Sequence, residues 1–245
     1  TGWIEGDSSF NVTLAGIATV YSATGIVSAT KFCGDGSALT GLAGFSADAQ
    51  ENLYAGTEAG DSSDSDTCFN VAIGYRAFKT NSSSDDNVVI GCEAGCGWSS
   101  GDSKTVIIGA RAGKCMTGGG RTIAIGFEAG CCAGVSDSSI FIGSYAGKCA
   151  CNRAHGSLFI GSGAGKGCNP TDTTGDNNIA IGGYSFVCFT SGANNVVVGQ
   201  SAGNKITSGS NNAIFGYNAG QGDSAMTGSC NAVFGTQAGK CLTSG

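Results

Sequence analysis

The chain is poor in several residue types that most globular proteins contain in quantity. Its 245 residues include one proline, one histidine and only 12% charged residues, beside 44 glycines and 13 cysteines. Glycine at this level, without a Gly-X-Y period and almost without proline, excludes a collagen triple helix. No apolar run reaches the about 18 residues that a membrane-spanning helix needs. The apolar content of 41% is too high for a simply disordered chain.

Positive charge is also scarce. The formal net charge is −6, and the 12 lysines and arginines are scattered along the chain. Because nucleic-acid binding needs a basic face that neutralises phosphates, we expect no nucleic-acid partner. The first residues contain neither a basic nor an apolar segment of a secretion signal, and we expect no membrane insertion. Since residue 1 is threonine, we expect a processed or partial chain.

A short phrase, an apolar triplet followed by glycine, recurs eleven times at intervals of 17 to 21 residues. Self-similarity at a fixed period indicates a solenoid, in which each unit buries its apolar face by stacking on its neighbours. We therefore predict an all-β solenoid, a β-roll or small β-helix, of about eleven coils. The repeat glycines are Gly56, Gly74, Gly91, Gly109, Gly126, Gly143, Gly161, Gly182, Gly199, Gly216 and Gly235.

The repeat does not cover the whole chain. Residues 1–50 lack it and instead contain two short β-branched segments, 17–21 and 25–30, followed by a turn-rich connector at 33–42. Residues 51–245 carry the repeat to the end. The sequence thus predicts an N-terminal region of 1–50 and a solenoid of 51–245, and the break-off after Cys241 suggests that the natural chain or fibre continues.

Positions counted from each repeat glycine, taken as zero, have distinct roles. Position −4 is always Asn, Ser or Thr, and stacked amides of this kind form ladders between coils. Position +3 is alanine in every copy except Ser185, which suits a tight inner bend. The invariant glycine itself permits a positive φ or a close backbone approach.

The triplet bears on oligomeric state. Successive strand residues point to opposite faces, yet positions −3, −2 and −1 are almost all apolar, so both faces are expected to be buried. One face can fill the coil, and the same strand of another copy can cover the other. The alternative is a solitary, wider solenoid whose −2 side chains pack under a loop. With strands about 4.8 Å apart, the coils would form a rod of about 50 Å.

The cysteines gather at one corner of the repeat, at positions +5 to +7. Stacked coils place such residues about 5 Å apart, within the range of a disulfide. Pairs such as Cys115–Cys132 or Cys132–Cys149 could staple adjacent coils or join chains, in an extracellular or particle-surface setting. A structural zinc or iron–sulfur site is the less favoured alternative, because the chain has a single histidine. The disulfide candidates are Cys96, Cys115, Cys131, Cys132, Cys149, Cys168, Cys188 and Cys241.

Catalytic motifs are weak, and we predict no enzyme, catalytic residue, metal site or cofactor. His155 lies in a loop insertion, where a solvated role is the default. The acidic groups Asp61–Asp66 and Asp85–Asp86 sit in Ser-rich insertions, and the first could bind calcium weakly. The stretch Gly161–Gly167 lacks the glycine and the hydroxyl residue that a phosphate-binding loop requires.

Several repeat units resemble a known protein family. The segments Asn195–Gly203 and Asn212–Gly220, of the form Asn-apolar-Ile-Gly-x-x-Ala-Gly, resemble repeats in tail-fibre and other fibrous structural proteins of marine bacteriophages. The unit Ala146–Cys149 resembles their Cys-rich variants. Residues 25–42 look like a connector of cyanophage fibre proteins. Head domains of trimeric bacterial adhesins carry a similar phrase on a shorter period.

The resemblance implies a trimeric fibre on a virion that reaches toward, or binds, a host surface. Expected partners are further copies of the chain, other virion proteins through the N-terminal region, and a glycan or protein of the host cell surface. The alternative is a bacterial surface adhesin or extracellular filament subunit. A polysaccharide-acting solenoid enzyme is a remote third option, since such an enzyme would show carboxylates lining one face.

Overall fold

A computed structural model describes residues 47–98, 103–134, 136–150, 154–168, 174–222 and 225–244. These residues form a parallel β-solenoid with no helix. Each coil contributes one three-residue strand, which is the apolar triplet of the repeat. The strands are β1 Leu53–Ala55, β2 Val71–Ile73, β3 Val88–Ile90, β4 Val106–Ile108, β5 Ile123–Ile125, β6 Ile140–Ile142, β7 Leu158–Ile160, β8 Ile179–Ile181, β9 Val196–Val198, β10 Ala213–Phe215 and β11 Ala232–Phe234.

The strands form a single sheet in chain order, and each pairs with the next in parallel. The register matches repeat position to repeat position, as in Val88 with Val106 and Ile90 with Ile108. The predicted all-β solenoid with coils about 18 residues apart is therefore confirmed. The β segments at 17–30 and the connector at 33–42 lie outside the described residues, and the boundary at residue 50 stays a prediction.

Backbone hydrogen bonds also join the coils outside the sheet. The N–H at +2 donates to the +1 carbonyl of the preceding coil, as from Arg76 to Thr57 at 2.9 Å. The N–H at +4 donates to the +3 carbonyl of the following coil, as from Gly60 to Ala77 at 3.0 Å. Rows of this kind satisfy backbone groups that would otherwise be buried without partners. A three-residue strand is sufficient because the corners are bonded too.

The repeat glycine is required by close contact between coils. Its φ lies between +120° and +137° in all eleven copies, a backbone conformation that residues with a Cβ rarely adopt. At Gly126 a Cβ would lie 2.7 Å from the carbonyl carbon and oxygen of Gly143 in the next coil. Backbone therefore packs directly on backbone along this corner, and no side chain can be inserted.

Buried amides and hydroxyls at position −4 form the predicted ladder. The Nδ2 of Asn195 donates to Asn178 Oδ1 at 3.0 Å and to the Gly209 carbonyl at 2.9 Å. Its Oδ1 accepts from the backbone N–H and the Nδ2 of Asn212 at 3.0 and 2.9 Å. In the middle coils the column changes to Thr and Ser, beginning with the Thr105 hydroxyl, which donates to an Asn amide oxygen of the preceding coil at 2.7 Å. The predicted ladder is confirmed.

The interior is filled by three columns of side chains, at positions −2, +3 and +7. Position +3 contributes alanines and the buried Ser185, whereas −2 and +7 contribute the larger groups. The −2 side chains therefore form the core, and the choice between a solitary solenoid and an oligomer stays a prediction. The buried −2 residues are Ala72, Val89, Ile107, Ala124, Phe141, Phe159, Ala180, Val197, Ile214 and Val233.

The side chains at positions −2 and +4 of a coil compete for the same space in the interior. Where +4 is glycine, as at Gly165, a Cβ would overlap the ring of the −2 residue Phe159. Where +4 is Phe78 or Phe186, the −2 residue of that coil is alanine, and the phenyl ring is fully buried. Phe186 stacks on Phe189 with ring centroids 4.7 Å apart. A large residue at one position thus requires a small one at the other.

We expect Gly126→Ala to destabilise the fold by about 3 kcal/mol or more, because it combines a strained φ with a clash against backbone. Gly235→Ala is the matched control: it shares the positive φ of +120°, but its Cβ would meet only Ala238 Cβ at 3.8 Å. Urea midpoints of the two variants measure the difference. Equal losses of stability in the two variants would show that the clash with the next coil's backbone adds nothing to the cost of the strained φ.

The shared volume predicts a compensating pair of substitutions. Phe186→Gly leaves a cavity and should cost about 3–5 kcal/mol. Adding Ala180→Phe should restore most of this loss, because the double variant reproduces the arrangement of Phe159 over Gly165. Denaturant unfolding of wild type, both single variants and the double variant measures the coupling. A double variant no more stable than Phe186→Gly would contradict the shared volume.

Candidate interaction surface

The side chains at positions −3 and −1 of every strand point away from the core and form what we name the outer sheet face. None of them is polar, and most are half-buried by their neighbours. Ile108 and Ile142 are each 36% exposed and Phe234 is 66% exposed. The −3 residues are Leu53, Val71, Val88, Val106, Ile123, Ile140, Leu158, Ile179, Val196, Ala213 and Ala232. The −1 residues are Ala55, Ile73, Ile90, Ile108, Ile125, Ile142, Ile160, Ile181, Val198, Phe215 and Phe234.

The size of the outer sheet face is that of an interaction surface. Ten steps of about 4.8 Å along the sheet and about 10 Å along each strand give a projected area of about 500 Å². Tyr75, Phe127 and Tyr217, at position +1 beside the strands, are 43%, 41% and 49% exposed and widen the apolar area. A contiguous apolar patch of this size lies in the upper part of the range that single chains expose, and such patches are often functional. Sequence reasoning predicted an apolar face in need of cover, and the structure shows which positions form it.

A column of alternating charge runs along position +2 beside the outer sheet face. It consists of Glu58, Arg76, Glu93, Arg111 and Glu128 in five successive coils. Each is in the left-handed region, with φ between 53° and 59°, so that the side chains stack at one corner. Sequence analysis missed this column, although the alternation is visible once position +2 is read down the repeats.

Ion pairs connect the column from coil to coil. Arg76 Nε lies 2.9 Å from Glu58 Oε2, and Arg111 bridges Glu93 and Glu128 at 3.2 and 3.5 Å. Lysines at position +5 add a second cation to each glutamate: Lys79 pairs with Glu58, Lys114 with Glu93 at 2.9 Å, and Lys148 with Glu128. Each carboxylate is thereby paired with two cations, and the column with its lysines holds five cations against three carboxylates.

These contacts shift the titration of the groups involved. Hydrogen bonds from the lysines, and then from the arginines, lower the pKa of Glu58 and Glu93. The hydrogen bond from Lys148 is the main cause that lowers the pKa of Glu128. The same bonds raise the pKa of Lys114 and Lys148. The carboxylates are therefore held in the charged form that the column needs.

Among the described residues of the cysteine corner, Cys168 and Cys188 form a disulfide that joins successive coils, with Cα atoms 4.5 Å apart. Both cysteines are among the predicted candidates. Cys149 continues the corner, since its backbone N–H donates to the carbonyl of Cys131 at 2.9 Å. Five other candidates carry thiols, and their pairing stays a prediction: Cys96, Cys115, Cys131, Cys132 and Cys241.

The residues considered for catalysis have structural contacts. His155 Nδ1 accepts a hydrogen bond from the backbone N–H of Asp137 at 3.1 Å, and Asp85 Oδ1 accepts from the N–H of Cys68 at 2.8 Å. Both belong to a column at position −6, in which a side chain caps the backbone of the preceding coil. Asp64 Oδ1 accepts from Asp66 N–H and the Thr67 hydroxyl, each at 3.0 Å.

Within the described ranges, no group of three or more His, Cys, Asp or Glu side chains could hold a metal ion. In the same part of the chain, no helix is long and apolar enough to cross a membrane. No family model, no curated protein and no solved structure matches the chain. Interpretation of the surface therefore rests on its own geometry and chemistry.

Because its folded-state pKa is lowered, Glu128 contributes stability above its unfolded pKa of about 4.3, and this contribution is lost as pH falls through the lower folded value. We expect Glu128→Gln to melt below wild type at pH 7, and the difference to shrink in acid. Melting temperatures across this pH range measure it. Glu51→Gln, at an exposed residue without an ion pair in the described ranges, is the control. A difference independent of pH would contradict the assignment.

Proposed function

We propose that the chain is a structural and adhesive fibre protein that assembles with copies of itself through the outer sheet face. The observation that supports this proposal most strongly is the uninterrupted apolar surface along eleven in-register strands. An apolar strip of this length is unfavourable in water. A second copy offers a surface of matching length and period.

A trimer on a virion is the specific form that we propose. The resemblance of the repeats to marine bacteriophage tail fibres supports it, as does the apolar outer sheet face. Residues 1–50 would join the fibre to other virion proteins. The Cys168–Cys188 disulfide favours a setting outside the reducing cytosol. A bacterial surface adhesin or extracellular filament is the alternative setting, with the same mechanics.

The mechanism is mechanical and multivalent. A rod whose coils are joined by backbone hydrogen bonds at the sheet and at the corners resists bending at every step. Exposed side chains such as Tyr184, present in each assembled copy, can then contact a host glycan or protein at several points. Weak contacts on one rigid support add through effective concentration, so that avidity exceeds the affinity of each contact.

Substitution on the outer sheet face tests the assembly. Ile142→Lys places a charge on the apolar strip, and we expect self-association to weaken at least about tenfold, or about 1.4 kcal/mol. Ser208→Lys introduces the same residue at an exposed position outside the sheet and should assemble like wild type. Sedimentation equilibrium over a range of concentrations measures both.

The fold of each variant is checked by its cooperative thermal transition, since Ile142 points outward and its replacement leaves the core intact. A wild-type chain that stays monomeric throughout the concentration range would overturn self-assembly. Assembly of Ile142→Lys with wild-type affinity would show that the outer sheet face is not the interface.

A further inference from the structure

Two thiols of the cysteine corner occupy equivalent positions in neighbouring coils. Cys115 and Cys132 both lie at +6 and share one backbone conformation, with φ of 60° and 56°. Their coils carry β4 and β5, which pair in register. In-register neighbours lie about 4.8 Å apart, within the range of Cα separations of about 4.4–6.8 Å that a disulfide accepts.

Contacts at this corner favour Cys115–Cys132 over a pairing with Cys131 or Cys96, and Cys132–Cys149, the equivalent pair one coil further on, is the competing linkage. The backbone brings the two residues side by side, because the N–H of Cys132 donates to the carbonyl of Lys114 at 2.8 Å. Cys131 Sγ also lies 3.7 Å from Cys132 Sγ, but adjacent residues across a trans peptide have Cα atoms about 3.8 Å apart, below the disulfide range. Cys96 is one residue out of register, because Gly97 is the residue that faces Cys115.

The accessibility of the thiols sets an order of reaction. Cys115 is exposed and Cys132 is half-buried, whereas Cys131 is buried. Burial is the main cause that raises the pKa of Cys131 to about 12, so its sulfur stays protonated and is a poor nucleophile near neutral pH. Burial, and then the neighbouring Cys132, also raise the pKa of Cys115, so it is exposure and not acidity that lets a reagent from solution meet Cys115 first. Cys132 is the thiol positioned to follow.

We propose that Cys115 and Cys132 form a thiol–disulfide exchange site, which low-molecular-weight disulfides convert into a second staple between coils. The Cys115 thiolate attacks one sulfur of glutathione disulfide, forms a mixed disulfide and releases one glutathione thiolate. The Cys132 thiolate then attacks Cys115 Sγ and displaces the second glutathione. Two protein thiols are oxidised to one disulfide, and glutathione disulfide is reduced to two glutathiones.

The site is compatible with assembly but does not depend on it. Position +6 lies eight residues from the −2 core position in a coil of about 18 residues, which places it about half a coil from the strand. A copy bound to the outer sheet face would leave this corner open to solvent. The exchange reaction can therefore be tested independently of the proposed fibre function.

Peptide mapping tests the site on the folded full chain. The protein is incubated with glutathione disulfide, remaining thiols are alkylated, and trypsin cleaves after Lys114, Arg121 and Lys148. We expect a linked pair of peptides, 115–121 with 122–148, that separates on reduction. The linked Cys168–Cys188 peptides serve as the internal standard for an intact oxidised fold.

Single serine variants assign the roles. Cys132→Ser should retain one glutathione on Cys115, since the resolving thiol is absent, whereas wild type should retain none there. Cys131→Ser should still form the linked peptides, and Cys230→Ser, at an exposed cysteine outside the corner, should behave like wild type. A persistent adduct on wild-type Cys115, or a Cys132–Cys149, Cys96–Cys115 or interchain linkage in its place, would overturn the proposal.

Discussion

The whole solenoid depends on the direct contact of backbone on backbone at the repeat glycine. Gly126 and its equivalents bring consecutive coils so close that even a methyl group would overlap a carbonyl of the next coil. This approach sets the spacing at which the strands pair in register and at which the corner N–H groups reach their acceptors. The Asn column and the ion pairs exist because the same distance recurs at every coil, and each copy of a residue thereby meets its counterpart.

Two different kinds of specificity are built on this spacing. In the interior, volume determines which residues fit, because a phenyl ring at −2 or at +4 leaves room only for a small residue at the other position. In the −4 column, hydrogen bonding determines how coils align, since each buried amide oxygen accepts two bonds from the next coil. A coil shifted by one position would place apolar residues against the amides and lose both. Register is therefore fixed twice, by the volume of the core side chains and by the hydrogen bonds of the −4 column.

Sequence alone predicted the coil, the strands and the −4 ladder, because each of these repeats at one position in nearly every copy. It did not predict that −2 faces inward, since all three triplet positions are apolar and no alternation with polar residues shows which side chain points to the core. The compensation between Ala180 and Phe186 was missed because it relates two positions of one coil, and each looks like an exception when read alone. The cysteine corner was located, but the bonded partners, Cys168 and Cys188, lie one position apart in the repeat, at +7 and +6.

Because charges alternate along the +2 column, the effect of deleting coils depends on whether their number is odd or even. A deletion of one complete coil between Glu58 and Glu128 would keep the strands in register and the glycine corner intact, yet it would bring two side chains of the same sign into contact. Removal of two coils restores the order of signs. The first half of the rod is thus tolerant of changes in length by even numbers of repeats. The second half, where position +2 carries Gly163, Tyr184, Ser201 and Asn218, is free of that restriction.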